Sequence, residues 1–328
     1  MAIAVVITTS SASANIFKVT ASSSNPGVQI EDLKFASSVT RTSGQYIESY
    51  SANGTKIRRC RFDAGYGTIT VSGSATEGLL IEQCYIYAST STCVNITAAT
   101  SAQGITTAVI QNNTFLGASS GSQTPIAIQI GCVGDLTIRE NSSLYCSTAI
   151  ATPATTGKTI QVLDISDNWF DSGSASGITI NPNGGTVYMV TIRGNWIASF
   201  TTSGVVASGT GTFGTLEVID NTIGNNGSNG IHVSSTIVSE TDIRGNKIGD
   251  NASSGIVIVA NLNKFKIIAN TLGRTGQWTA NTAYDILVNA GTSDNYIITH
   301  NFVTTGGTGN ISDGGTGVNK TVAANYTI

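Results

Sequence analysis

Four side chains in the middle of this 328-residue chain have the types and spacing for acid–base work on a sugar: Glu140, Asp167, Asp220 and Arg193. Each stands one or two residues ahead of an asparagine in a recurring string, apolar-x-x-Asn-x-apolar. If the string marks the same point on successive turns of a stack of strands, Glu140 and Asp167 lie one strand spacing apart, about 5 Å, and Asp167 and Asp220 two, about 10 Å. These separations bracket those of retaining and inverting glycoside hydrolysis, in which one carboxyl protonates the leaving oxygen and the other attacks or activates water. A column of acids on any such ladder meets one of the two distances, so the spacing permits the chemistry without selecting it.

The position after the asparagine holds Trp169 and Trp196 on adjacent repeats and Lys247 two repeats further on. Both indoles are expected to project outward side by side. A flat apolar surface beside Arg193 and Asp167 suits the C–H face and hydroxyls of a sugar. It equally suits a subunit contact, where Trp and Arg are enriched. The charges along this edge change sign from repeat to repeat: Glu31 and Asp32, then Arg58 and Arg59, then Glu82, and later Asp167, Arg193, Asp220 and Arg244. Ion pairs between neighbouring turns would account for that order without any reaction.

The repeat itself decides which elements position these groups. Its clearest copies are ISDNWF (165–170), IRGNWI (192–197), IRGNKI (243–248) and ITHNFV (298–303). Alignment on the asparagine collects Asn113, Asn141, Asn168, Asn195, Asn221, Asn246, Asn270 and Asn301, with Asn325 as a looser match and Cys84, Cys60 and Leu33 in the same place earlier. The period is 24 to 31 residues. Each period holds a second apolar strand that often opens with glycine, as in GITI (177–180) and GIHV (230–233). Helix formers are scarce and Ile, Val and Thr abundant, so the chain is expected to be all-β, coiled so that each turn stacks in parallel on the next. The asparagines are expected at tight bends, where Asn tolerates left-handed backbone angles and stacked amides satisfy one another. Residues 28–328 then form one continuous rod on the order of 55 Å long, at about 4.8 Å per turn. Residues 1–27 form an N-terminal cap or docking segment, with residues 3, 5 and 7 alternating like a strand and Ile16, Phe17 and Val19 packing on the first coil.

Composition narrows the function classes. A net charge of −3 argues against nucleic acid as a partner, because displacing counterions from phosphate requires a basic surface. No apolar run reaches the roughly 18 residues of a membrane-spanning helix. The apolar residues 2–7 follow no Lys or Arg and are shorter than a secretory h-region, so synthesis in a cytoplasm without secretion is expected. The five cysteines are an odd number and read as buried thiols, although Cys60 and Cys84 fall on consecutive turns within bridging reach. His232 and His300 have no visible catalytic partner, and no Cys or His spacing fits zinc. No cofactor or metal is expected. The glycine-rich residues 224–230 and 306–317 read as loops, and the rod's C-terminal end is expected to be covered by that last loop or by another chain.

With its Asn string, its Gly-led second strand and its period, the sequence resembles the right-handed parallel β-helix superfamily, which includes pectate lyases, phage tailspikes and bacterial repeat proteins, over residues 28–328. The resemblance implies a single-stranded right-handed parallel β-helix of about 11–12 coils with an internal Asn ladder. Tailspike and other virion β-helix proteins are the most similar members. They imply a virion structural protein, such as a short tailspike, fibre or capsid-decorating protein, that presents a rigid β-helix for attachment to the particle or to bacterial host surface glycans. The low-charge Ser/Thr/Gly/Ala-rich flank and the uncovered last coil lead to the expectation of a homotrimer, and the N-terminal segment to that of docking on other virion proteins. A polysaccharide hydrolase or lyase is the alternative. The Asn-Thr-Asp, Asp-Asp and Gly-His-Gly signatures of polygalacturonase-like members are absent, as is the dense acidic cluster that holds calcium in pectate lyases. Glu140, Asp167, Asp220 and Arg193 therefore stand as catalytic candidates only, and Trp169, Trp196, Arg193 and Lys247 as glycan-binding or interface candidates.

Overall fold

The computed structural model describes residues 5–20, 27–51, 53–73, 76–98, 104–234, 238–259, 261–273, 278–304 and 306–327. They build a right-handed parallel solenoid of about 11 turns with no α-helix. One coil in the middle shows the plan. The strand Thr159–Ser166 runs to a bend at Asp167 and Asn168, Trp169–Asp171 follows, a turn leads to Ile178–Asn181, and a second turn enters Thr186–Arg193 one level up. Repetition of this plan stacks three parallel sheets. We call the sheet of Trp169–Asp171 sheet 1, that of Ile178–Asn181 sheet 2, and that of Thr159–Ser166 sheet 3. The strand Thr124–Arg139 passes without a break from sheet 2 into sheet 3.

Alternation along each strand explains the interior. Ile138, Ile165, Ile192, Val218, Ile243 and Ile267 fall in register on sheet 3 and are fully buried, one above the next. Each such side chain contributes about 1.5–3 kcal/mol through burial. Because the side-chain period is two, the flanking residues of the same strands face outward and are free to be polar.

The bend departs from the sequence expectation in one respect. The left-handed backbone belongs to the residue before each asparagine, as at Glu140 (φ 57°), Asp167 (φ 56°), Asp220 (φ 54°) and His300 (φ 56°), and no ladder asparagine has a positive φ. A single left-handed residue interrupts the in–out alternation, so the next side chain turns into the core. The asparagines are there because a buried bend leaves backbone groups that need partners. Asn168 shows the pattern: its Nδ2 donates to the Ile138 carbonyl (3.0 Å) and to Asn195 Oδ1 (2.9 Å), while its own Oδ1 accepts from the Asn141 backbone N–H (3.0 Å). The same links run from Asn113 to Asn301 and on to Asn325, and Cys84 joins below through its N–H to Asn113 Oδ1 (2.9 Å).

A second ladder was not legible in the repeat. Asn226, within the glycine-rich stretch read as a loop, donates to Asn251 Oδ1 (3.0 Å), Asn251 to Asn281 Oδ1 (2.9 Å), and Asn281 to Asp285 Oδ1 (2.8 Å). The fully buried Asp285 ends it, and its Oδ2 has no hydrogen-bond partner. Burial pushes its pKa up to about 6, against the pull of the Asn281 amide.

At the N-terminal end, Val5–Thr9 pairs with Leu33–Ser37 and Phe17–Thr20 with Gln45–Tyr50, and Ile7, Ile16, Phe17 and Val19 pack on the core; residue 3 lies outside the described residues. Within residues 306–317, read as a loop, Gly309–Gly315 is a strand of sheet 2 paired with Tyr284–Gly291. All five cysteines are free and buried, Cys60 and Cys84 included.

Candidate functional site

Sheet 1 presents two outward columns, the first and third residues of each of its short strands. In the first column Tyr85, Thr114, Ser142, Trp169, Trp196, Thr222 and Lys247 follow one another in register. Trp169 and Trp196 therefore meet by register alone, and their rings stack with centroids 4.7 Å apart and planes 7° from parallel. Trp169 is 48% exposed and Trp196 is half-buried. Lys247 is exposed but two turns from Trp196, so it stands beside the indole pair and not against it.

A third indole, which the repeat did not single out, completes the arrangement. Trp278 packs against Trp196 with centroids 5.2 Å apart and a 45° tilt, and is only 8% exposed. It lies over Gly224, where an added Cβ would come within 2.6 Å of the indole. The only sequence signal of it is the 31-residue interval from Asn270 to Asn301, longer than its neighbours, which marks an insertion. Trp278 backs Trp196 from the C-terminal side. The free face of Trp169 consequently looks toward Ser142.

At the bend edge of this sheet lies a cleft of about 420 Å³ lined by Glu140, Ser142, Asp167, Trp169, Gly194 and Trp196. Two of the catalytic candidates, Glu140 and Asp167, thus share one cleft with the indole pair. The Asp167 carboxylate folds over Gly194 of the next coil, where an added Cβ would collide with its Oδ1. Asp220 sits two turns from Asp167 and folds in the same way over Gly245, outside the cleft. Arg193 is not with them. It lies on sheet 3, where its Nε and Nη2 reach Asp164 Oδ1 (3.2 Å) and Oδ2 (3.1 Å), and that bond raises its pKa.

This corrects the alternating ion pairs expected along the edge. The early part pairs as expected, with Arg59 on Glu31 and Asp32 and Arg58 on Glu82 (2.5 Å). Further on, Arg193 pairs with Asp164 and Arg244 with Asp242, and among the described residues Asp167 and Asp220 have no ion-pair partner. Arg193 and Arg244 each stand one residue before the left-handed bend residue, on sheet 3, and pair with acids lying further back there, Asp164 on the preceding coil and Asp242 on the same strand.

Among the described residues no three His, Cys, Asp or Glu side chains come together to hold a metal ion. His232 is an outward residue of sheet 2 whose pKa is lowered by burial, and His300 occupies a left-handed bend with Nδ1 2.9 Å from Thr299 Oγ1.

Fold and ladder together define a right-handed parallel β-helix protein. Residues 79–237 match the family model described as right handed beta helix region. Among solved structures, the chain is similar to the A-module of the mannuronan C-5 epimerase AlgE6 of Azotobacter vinelandii, at 11% identity and a TM-score of 0.67, over 92% of this chain and 88% of that one. It is also similar to tailspike protein 3 of bacteriophage CBA120, at 12% identity and a TM-score of 0.63, over 98% of this chain and 50% of that one. A third likeness is to a double mutant of the tailspike of E. coli bacteriophage HK620 in complex with a pentasaccharide, at 10% identity and a TM-score of 0.51, over 83% of this chain and 58% of that one. At these identities the likeness is one of fold, and the chain spans 50% of one tailspike and 58% of the other. No curated protein matches the chain in sequence. No described helix is long and apolar enough to cross a membrane.

Proposed function

We propose that this chain is a phage virion structural protein, a tailspike-like shaft that binds bacterial surface glycan on sheet 1. The observation that carries the reading is the outward Trp169, held flat by Trp196 behind it and edged by a carboxylate-lined cleft. Exposed indole of this kind offers a sugar its C–H stacking surface, and Glu140 and Asp167 offer acceptors for hydroxyls. The tailspike likenesses support a virion location; a homotrimeric assembly and attachment to other virion proteins through residues 1–27 belong to the same proposal. The test is retention of the protein on immobilised bacterial surface polysaccharide. Trp169→Ala should abolish retention while leaving the melting temperature within a degree or two, and equal retention of the variant would remove the reading. Light scattering should give three times 33.7 kDa, and a monomer would withdraw the trimer.

Glu140 and Asp167 on one cleft also favour a second reading, a polysaccharide hydrolase or lyase. Release of reducing sugar or unsaturated product, lost in Asp167→Asn with binding retained, would establish it. Binding with no product from any bound polysaccharide would leave the shaft without a reaction.

A further inference from the structure

The first column of sheet 1 runs large, small, small, large: Tyr85, Thr114, Ser142, Trp169. Both large residues have their outer sides covered. Trp196 stacks behind Trp169, and the Arg61 guanidinium lies over the Tyr85 ring at 5.1 Å from its centroid, itself tied to Asp63 at 2.9 Å. Their free faces look at each other across three strand spacings, about 14 Å. The floor between them is Thr114 and Ser142 in the first column and the half-buried Leu116 and Leu144 in the third. At the bend edge the floor opens into the Glu140 and Asp167 cleft. Past the opposite ends of these strands a second cleft of about 330 Å³ is lined by Ala88, Thr90, Ser122 and Gln123 among others, all uncharged. Gln123 is fixed there, with Oε1 accepting from the Ser174 N–H (2.7 Å) and Nε2 donating to the Ser172 carbonyl (3.2 Å).

We propose that this trough is a binding site for an uncharged oligosaccharide, stacked on Trp169 at one end and on Tyr85 at the other. The proposal rests on the glycan reading above and adds to it the length and the charge class of the ligand. A trough about 14 Å long between two aromatic walls holds more than one sugar ring. The partly apolar floor suits C–H surfaces, and the threonine, serine and glutamine groups suit hydroxyls. Charge sets the class: the clefts carry Glu140 and Asp167, Asp171 follows Leu144 in the third column, among the described residues no Lys or Arg lines either cleft, and Arg61 behind Tyr85 is neutralised by Asp63. A polyuronate would set its own carboxylates against Glu140 and Asp167.

The test is a titration of Trp fluorescence with hexasaccharides, one set neutral and one set bearing a uronic acid on every second residue. Neutral members should bind about fivefold more tightly than uronates at 20 mM salt, since one like-charge contact in water is worth roughly a factor of five. The gap should close in 1 M salt and in the Glu140→Gln, Asp167→Asn double variant. Tyr85→Ala should weaken a neutral hexasaccharide at least tenfold and leave a disaccharide unchanged, whereas Trp169→Ala should weaken both. Uronates binding as tightly as neutral sugars, or Tyr85→Ala without effect while Trp169→Ala abolishes binding, would overturn the trough and leave the glycan reading standing. Absence of binding by every member of both sets would overturn the two together.

Discussion

Replacing Asp285 by Asn tests how the second ladder ends. Asp285 is fully buried, accepts from Asn281 through Oδ1 and has no hydrogen-bond partner on Oδ2, while the Asn281 amide and the Thr304 backbone N–H favour its charged form. Burial raises its pKa from 3.8 to about 6, so the folded state holds the proton more tightly than the unfolded chain. The sign follows directly. Below about pH 3 both states are protonated and the group is neutral to stability. As pH rises from about 3 to 6 the unfolded chain loses its proton first, and folding stability falls by up to about 1.4 kcal/mol per pH unit. Above pH 6 the loss is constant at about 3 kcal/mol. The Asp285→Asn side chain keeps the acceptor that Asn281 needs and cannot ionise. The variant's gain over the native protein should therefore grow from about 0.5 kcal/mol at pH 4 to about 3 kcal/mol at pH 7.5. For a chain of this length, at about 0.7 kcal/mol per degree, that is roughly 4 °C in the melting temperature at pH 7.5. The assay is denaturation of both proteins at pH 4, 5, 6 and 7.5. Any fixed effect of exchanging the hydroxyl for an amide shifts all four differences equally, so the slope carries the answer. A difference that does not change across this range would refute the buried-carboxylate argument.

Three further outcomes are expected. Asn195→Ala removes the partner of Asn168 Nδ2 and of the Asn168 N–H in the buried ladder, and should cost about 2–4 kcal/mol in denaturant unfolding, against less than about 1 kcal/mol for Asn325→Ala at the part-exposed end. Gly224→Ala puts a methyl 2.5 Å from the Gly249 carbonyl and 2.6 Å from Trp278, so it should displace that indole, lower the melting temperature and shift the Trp emission to the red. The five buried thiols should be silent to an aromatic disulfide reagent at pH 8 in the native protein and all react in guanidinium, because burial raises the pKa of Cys84, Cys93 and Cys146 and blocks access; a rapidly reacting native thiol would contradict the packing.

Much of the architecture was written in one dimension. A residue type that returns every 24 to 31 positions between inward-facing isoleucines can satisfy its amide only by stacking on its own copies, so Asn113 to Asn301 fixed the ladder, the register and the meeting of Trp169 with Trp196. Register is a counting property, and counting needs no coordinates. The bend was misassigned within its string because either of two adjacent residues can take the left-handed angle, and only the direction of the Asn side chain shows which one did.

What the tertiary structure decided is everything carried by insertions and by side-chain reach. Asn226, Asn251 and Asn281 recur at 25 and 30 residues inside turns of unequal length, so their alignment emerges only once those turns fold back on the rod. Trp278 arrives from outside the repeat to back Trp196, and nothing periodic announces it. Arg193 lies one residue before the bend but reaches Asp164 across the face of sheet 3, since a long flexible side chain pairs with whichever acid lies within its arc. The sequence alone could place these groups on a turn; which neighbour each one touches depends on distances in the directions the repeat does not encode.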